Sequence, residues 1–219
     1  MTSQDIGFDG WATNYEAVQS SMAGLSLSQK IEFMRKELPY HWQDVYRRNL
    51  NRETELYRLE SGSFSYVFDD LQALVGAGKV ADDGISDSRL LVAFGTTTPK
   101  FTSRKHDDRR LRKWVGATGE MFGDKYDKGH FIAHTIGGAV DHAEFNVFVQ
   151  SRRLNRGWSE AGKRYVKMEK YCKEHAGVLC FSRPFYTDGT AFPRWLEFGV
   201  LKENGELWVE VFDNRAETD

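Results

Sequence analysis

The sequence predicts an α+β fold: a mainly helical region over residues 1–80, then a domain over residues 85–219 built on a small antiparallel sheet. Three observations predict it. Leu27, Ile31, Met34 and Leu38 recur at helical spacing behind a Ser26/Gln29 capping box. RLLVAFGTTT (89–98) and VLCFSRPFY (178–186) are strand-length runs rich in apolar residues. Asn204-Gly205 stands between two further apolar runs and predicts the tight turn of a hairpin.

Taken in order, the first helix begins after Ser26. Pro39 predicts a break or kink near Leu38, because proline removes a helix donor and crowds the preceding turn. A second helical stretch is expected beyond it, with Trp42, Val45 and Leu50 as its apolar positions and a charged continuation through Glu60. SFSYVFDDLQALVGAGKV (63–80) predicts a third helix closed by Gly76 and Gly78. VADDGISDS (80–88) is polar and turn-rich, and marks the boundary between the two regions. After the strand at 89–98, SRKHDDRRLRKW (103–114) predicts a charged loop or short helix, and GATGEMFGD (116–124) a loop. KGHFIAH (128–134) predicts a short strand leaving a turn at Gly129, and VFVQSRRLNRG (147–157) an extended or irregular segment. SEAGKRYVKMEKYCKEHAG (159–177) predicts a helix, with Ser159 as N-cap and Gly177 just past its end. The strand at 178–186 and a closing hairpin over 193–214 complete the chain.

With 219 residues, 40% of them hydrophobic and 14% aromatic, the chain can bury a substantial core, which excludes a disordered protein. No apolar run reaches the ~20 residues of a membrane span, so no membrane partner is expected. The opening MTSQDIGFDGWATNYEAV lacks a basic stretch followed by an apolar core. The chain is therefore expected in the cytoplasm, or exported by a route without a cleavable signal peptide. Cys172 and Cys180 lack the C-x-x-C spacing of zinc and redox sites and are expected as reduced, buried thiols. A net charge of −2 conceals an asymmetry: residues 100–170 carry 16 Lys and Arg against 9 Asp and Glu, while the remainder carries 14 against 23. A basic middle on an acidic chain suits a polyanion.

The basic middle contains an ordered set of chemical residues: Asp127-Lys128-Gly129-His130, then Asn146, Gln150, Asn155, Trp158 and Glu169. A neutral histidine can take a proton from water near neutral pH. Mg²⁺ prefers oxygen ligands and keeps several waters, so few protein ligands suffice, and a divalent ion relieves charge at a phosphate. Gly129 would leave room for substrate or backbone to approach the histidine. His130 and His134 form an H-x-x-x-H pair, but Phe131 stands where a zinc protease needs glutamate. His134 is left as a cleft-lining or loop-packing residue and His142 as an exposed one.

DKGH followed by EFNVFVQSRRLNRGW and KMEKY resembles the DNA/RNA non-specific endonucleases of the ββα-metal, or His-Me finger, superfamily. The resemblance spans roughly residues 85–213 and is specific over 127–169. It implies a ββα-metal core with His130 as general base, Asn155 as direct Mg²⁺ ligand and Glu169 as a metal-water or leaving-group partner. Mn²⁺ is the alternative ion. Asp127 would orient the site and Asn146 support it. Lys128 stands where arginine is commonest in the family and keeps the charge without the two-pronged fork. Arg152, Arg153 and Arg156 would join Lys128 in phosphate-backbone contact. Arg104, Arg109 and Arg112 are all candidates for the arginine the family places near the scissile phosphate. Gln150 and Trp158 are expected as structural members of the motif, the first polar and the second in the core. The implied substrate is DNA, with RNA as a further substrate. A bacterial toxin or defence role, an inhibitor or immunity partner, and a homodimer are family-level expectations. The alternative is a catalytically silent nucleic-acid-binding or assembly module on the same fold.

Overall fold

In the computed structural model, which describes residues 8–50, 53–78, 88–98, 123–139, 144–187 and 190–215, the chain is α+β, built around a six-stranded antiparallel sheet. Its strands are β1 (Leu56–Ser61), β2 (Phe64–Asp69), β3 (Arg89–Thr96), β6 (Leu179–Phe185), β7 (Trp195–Leu201) and β8 (Leu207–Asp213), in that spatial order. Between β3 and β6 the chain leaves the sheet and builds a separate hairpin, β4 (Tyr126–His130) and β5 (Val147–Ser151). The short helix α4 (Arg152–Asn155) and the longer α5 (Glu160–Glu174) follow directly.

The large sheet is covered on both faces. Tyr66, Ala93, Cys180, Phe198 and Phe212 pack against Phe131, Phe148, Leu154, Tyr165 and Met168, the contribution of the hairpin and its helices. Val67, Phe94, Phe181 and Phe185 pack on the other side against Trp11, Met34, Leu38, Trp42 and Val45. Those belong to the N-terminal region, whose helices are α1 (Tyr15–Ser21) and α2 (Leu27–Leu50). A buried ion pair joins this layer to the sheet: Arg183 Nη1 lies 2.6 Å from Glu197 Oε2 and also donates to the hydroxyls of Thr13 and Tyr15. Trp42 and Phe185 flank the guanidinium at 5.2 and 5.0 Å.

Local signals are well obeyed in α2 and α5, and the closing hairpin forms with a longer connection than its signal predicts. The Ser26 backbone N–H donates to Gln29 Oε1 at 2.9 Å, as a capping box requires. Ser159 accepts from the Gly162 N–H at 3.0 Å and caps α5. Gly205 lies at φ +79° between β7 and β8, although Leu201 pairs with Leu207, so the connection is five residues rather than a tight two-residue turn. Cys172 and Cys180 are both free and buried.

Three expectations are corrected. Residues 56–69 are not helical; they form β1 and β2, and β2 pairs with β3. β1 and β2 therefore lie in the same sheet as β3. FSYVFD is buried along its whole length because both sheet faces are covered, so it lacks the alternation that announces a half-exposed strand. The helical content of that stretch is the short α3 (Leu71–Gly76). Pro39 does not end its helix: α2 runs unbroken through it, since Leu38, Trp42, Val45 and Tyr46 are all buried against the sheet and offset the lost donor. Gly129 lies inside β4 rather than in a turn. The segments at 80–87, 103–114 and 116–122, with Arg104, Arg109, Arg112 and His142, lie outside the described residues.

Candidate functional site

The β4–β5 register sets the site. Asp127 pairs with Gln150, Gly129 with Phe148 and His130 with Val147. Gly129 is required by a different neighbour than expected: a Cβ there would collide with the side chain of Gln150, so the space is filled by the protein and not left for substrate. Gln150 is buried beneath the hairpin. Asn146, at the entrance to β5, is buried and fully used. Its Oδ1 accepts from Ile132 N–H at 2.9 Å, and its Nδ2 donates to the carbonyls of Ile132 and Ala139, both at 2.8 Å. It thereby fastens the loop that follows His130.

Asp127 is the hub of the other end. One oxygen accepts from Arg152 Nε at 3.0 Å and Arg156 Nη2 at 3.0 Å; the other accepts from Arg156 Nε at 2.7 Å and Asn155 Nδ2 at 3.3 Å. Burial alone would raise the Asp127 carboxyl, but the bonds from Arg156, Asn155 and Arg152 outweigh it and hold its pKa below the usual aspartate value. Asp127 is therefore ionised at neutral pH and can only accept. That settles which way the Asn155 carboxamide points: its NH₂ end faces Asp127, and its oxygen faces elsewhere.

The turn from α4 into α5 is close-packed. A Cβ on Gly162 would meet the carbonyl oxygens of Arg153 and Leu154, so glycine lets the two helices touch. Asn214 ties the hairpin to the end of β8: its Oδ1 accepts from Ser151 N–H and its Nδ2 donates to Val149 O, each at 2.9 Å. Glu169 lies two turns further along α5. Burial raises its carboxyl to about 7, with the neighbouring Tyr165 pulling the other way. The Tyr165 hydroxyl is near enough to Glu169 and Gln150 to feel both electrostatically, yet neither it nor Gln150 Nε2 makes a hydrogen bond of normal geometry.

The structure thus brings Asp127, Asn155, Arg152 and Arg156 into direct contact, and sets Tyr165 beside Glu169 and Gln150. His130 ends β4 three residues from Asp127, ~10 Å along the strand. Arg152 and Arg156, expected at phosphates, are gathered by Asp127; Arg153 is exposed. Trp158, expected in the core, is 58% exposed. Gly162, Tyr165 and Asn214 were not singled out by sequence. Gly162 alone had a local cue, a glycine inside a helical stretch. Among the described residues no cluster of three or more His, Cys, Asp or Glu forms a ready metal cage, and no helix is long and apolar enough to cross a membrane.

No family model matches the chain, and no curated protein matches it. Distant likenesses exist among solved structures. One is described as an extracellular endonuclease, with 13% identity and TM-score 0.36, over 77% of this chain and 82% of that one. A second is described as Sda1 nuclease with bound zinc ion, with 15% identity and TM-score 0.37, over 75% and 74%. A third, an extracellular nuclease, has 12% identity and TM-score 0.32, over 76% and 86%.

Proposed function

We propose that this chain is a metal-dependent nuclease that hydrolyses phosphodiester bonds of DNA, and of RNA as a second substrate, with little sequence preference. The observation that carries the reading is the Asp127–Asn155 contact. An ionised, acceptor-only carboxylate holds the amide nitrogen, which leaves the amide oxygen to serve as a hard donor. That donor fits Mg²⁺ or Mn²⁺, which need few protein ligands and retain water.

The Asn155 oxygen would hold a divalent ion, which would supply charge neutralisation to a bound phosphate. Asp127 orients Asn155, and Asn146 fixes the loop beyond His130. His130 accepts the proton of the attacking water. Glu169 is the outer carboxylate on α5, held by burial so that it can share or release a proton near neutral pH. Lys128 and Arg153 supply sequence-independent attraction for the phosphate backbone, and Arg156 and Arg152 add to that field while serving Asp127.

The test is plasmid cleavage by the purified chain with Mg²⁺, with Mn²⁺, with EDTA, and by His130→Ala beside it. Cutting that requires both a metal and His130 is expected. Full metal-dependent activity in His130→Ala would remove His130 from the mechanism. Binding without cutting, across metals and on both nucleic acids, would leave a binding module instead.

A further inference from the structure

A tryptophan with a packing role in this protein looks like Trp11 or Trp42, each about 1% exposed. Trp158 is 58% exposed. Its backbone N–H donates to the Arg153 carbonyl at 2.9 Å, in the connection between α4 and α5. The Arg156 guanidinium sits 5.0 Å from its ring centre. Arg156 is itself gripped by both oxygens of Asp127, which also hold Asn155. A continuous chain of contacts therefore runs from the candidate metal ligand to a solvent-facing indole.

We infer that Trp158 is a stacking platform for a nucleobase, so that the site takes single-stranded or locally unpaired nucleic acid in preference to intact duplex. The inference rests on the nuclease reading and names its substrate class. An arginine against an indole presents an aromatic surface beside positive charge, and a nucleotide offers a π-face beside negative charge. Arg153, exposed one turn earlier, adds to that charge. Every base has such a face, so stacking binds without sequence preference. Inside a duplex both faces of a base are already covered by its neighbours, and only an unpaired or extruded base can meet the ring.

The experiment measures anisotropy of a labelled single-stranded oligothymidine, the same strand with abasic sites, and a duplex, all in EDTA. Wild type is compared with Trp158→Ala, Trp158→Leu and Trp158→Tyr. Loss of the ring should weaken the base-bearing strand by about 5- to 100-fold, and tyrosine should restore most of it. Leucine keeps apolar bulk without a π-face and should behave like alanine. The abasic strand should bind all four proteins alike, because backbone charge is untouched. Equal affinity of wild type and Trp158→Ala for the base-bearing strand, or an equal loss on the abasic strand, would overturn the platform. Plasmid cleavage by the same preparations separates the two readings. Metal-dependent cutting with unchanged Trp158→Ala binding removes the platform and leaves the nuclease, whereas a wild type that neither binds nor cuts any nucleic acid removes both.

Discussion

Replacing Asp127 with asparagine tests how the site is organised. The change keeps the side chain's size and removes its charge. In the native protein the carboxylate accepts four hydrogen bonds, three of them from Arg152 and Arg156. Its side chain is 13% exposed, and those of Arg152 and Arg156 are 30% and 46% exposed. A hydrogen bond to a charged group contributes ~1.5–3 kcal/mol when buried. Solvent screens both arginines, and the Arg156 pair lies close to the surface regime of ~0–1 kcal/mol. The combined loss should be about 2 kcal/mol of stability. The functional loss should be larger in proportion. An asparagine at 127 can present an oxygen or an NH₂ group to Asn155, so the orientation of the Asn155 amide is no longer enforced. If Asn155 holds a metal ion as proposed, losing the group that orients it should cost ~10–100-fold in metal affinity or activity. The assay is urea unfolding alongside cleavage rate against Mg²⁺ concentration. A variant within twofold of wild type in Mg²⁺ dependence would refute the view that Asp127 aims the Asn155 oxygen.

Glu169→Gln should reshape the pH profile of stability. The carboxyl is raised from 4.5 to about 7 in the folded state, so its stabilising contribution is complete below about 4.5 and is lost as pH rises through about 7. Glutamine removes that slope. In EDTA the variant should gain about 1–2 kcal/mol relative to wild type between pH 5 and pH 8, allowing for the exposed part of the side chain. Parallel urea midpoints at the two pH values would contradict the shift. Gly162→Ala should destabilise despite alanine's better helix propensity, because the new Cβ meets backbone carbonyls of Arg153 and Leu154 that cannot swing aside. A loss of about 1–3 kcal/mol is expected by thermal or urea melting, and a neutral or stabilised variant would show that α4 and α5 can part freely.

Much of this protein is legible in its sequence because the relevant forces act over a few residues. The capping box at Ser26, the Ser159 cap of α5, the Asn204-Gly205 connection, and the strands at 89–96 and 179–185 are all read from neighbours in the chain. The candidate site residues likewise stand out as an ordered set, since their types follow from the chemistry they suit. What their side chains touch was not legible. Asp127 and Arg156 are 29 positions apart, and only the β4–β5 register followed by α4 brings them into contact. The sequence suggests that Gly129 makes room beside the histidine, but it answers to Gln150 on the opposite strand.

The sequence by itself determined the α+β class, the capped helices, the sheet-forming runs and the identities in the 127–169 motif. Tertiary structure decided the rest. It made residues 56–69 strands, because pairing with β3 and burial on both faces outweigh a local pattern that reads as helix. It carried α2 through Pro39, because a buried stripe on both sides offsets one missing hydrogen bond. It turned Trp158 outward, because Gly162 seats α5 directly on α4 while Arg156 and the Arg153 carbonyl hold the tryptophan in the connection between them. In each case the deciding energy comes from residues distant in the chain, and a local pattern cannot contain it.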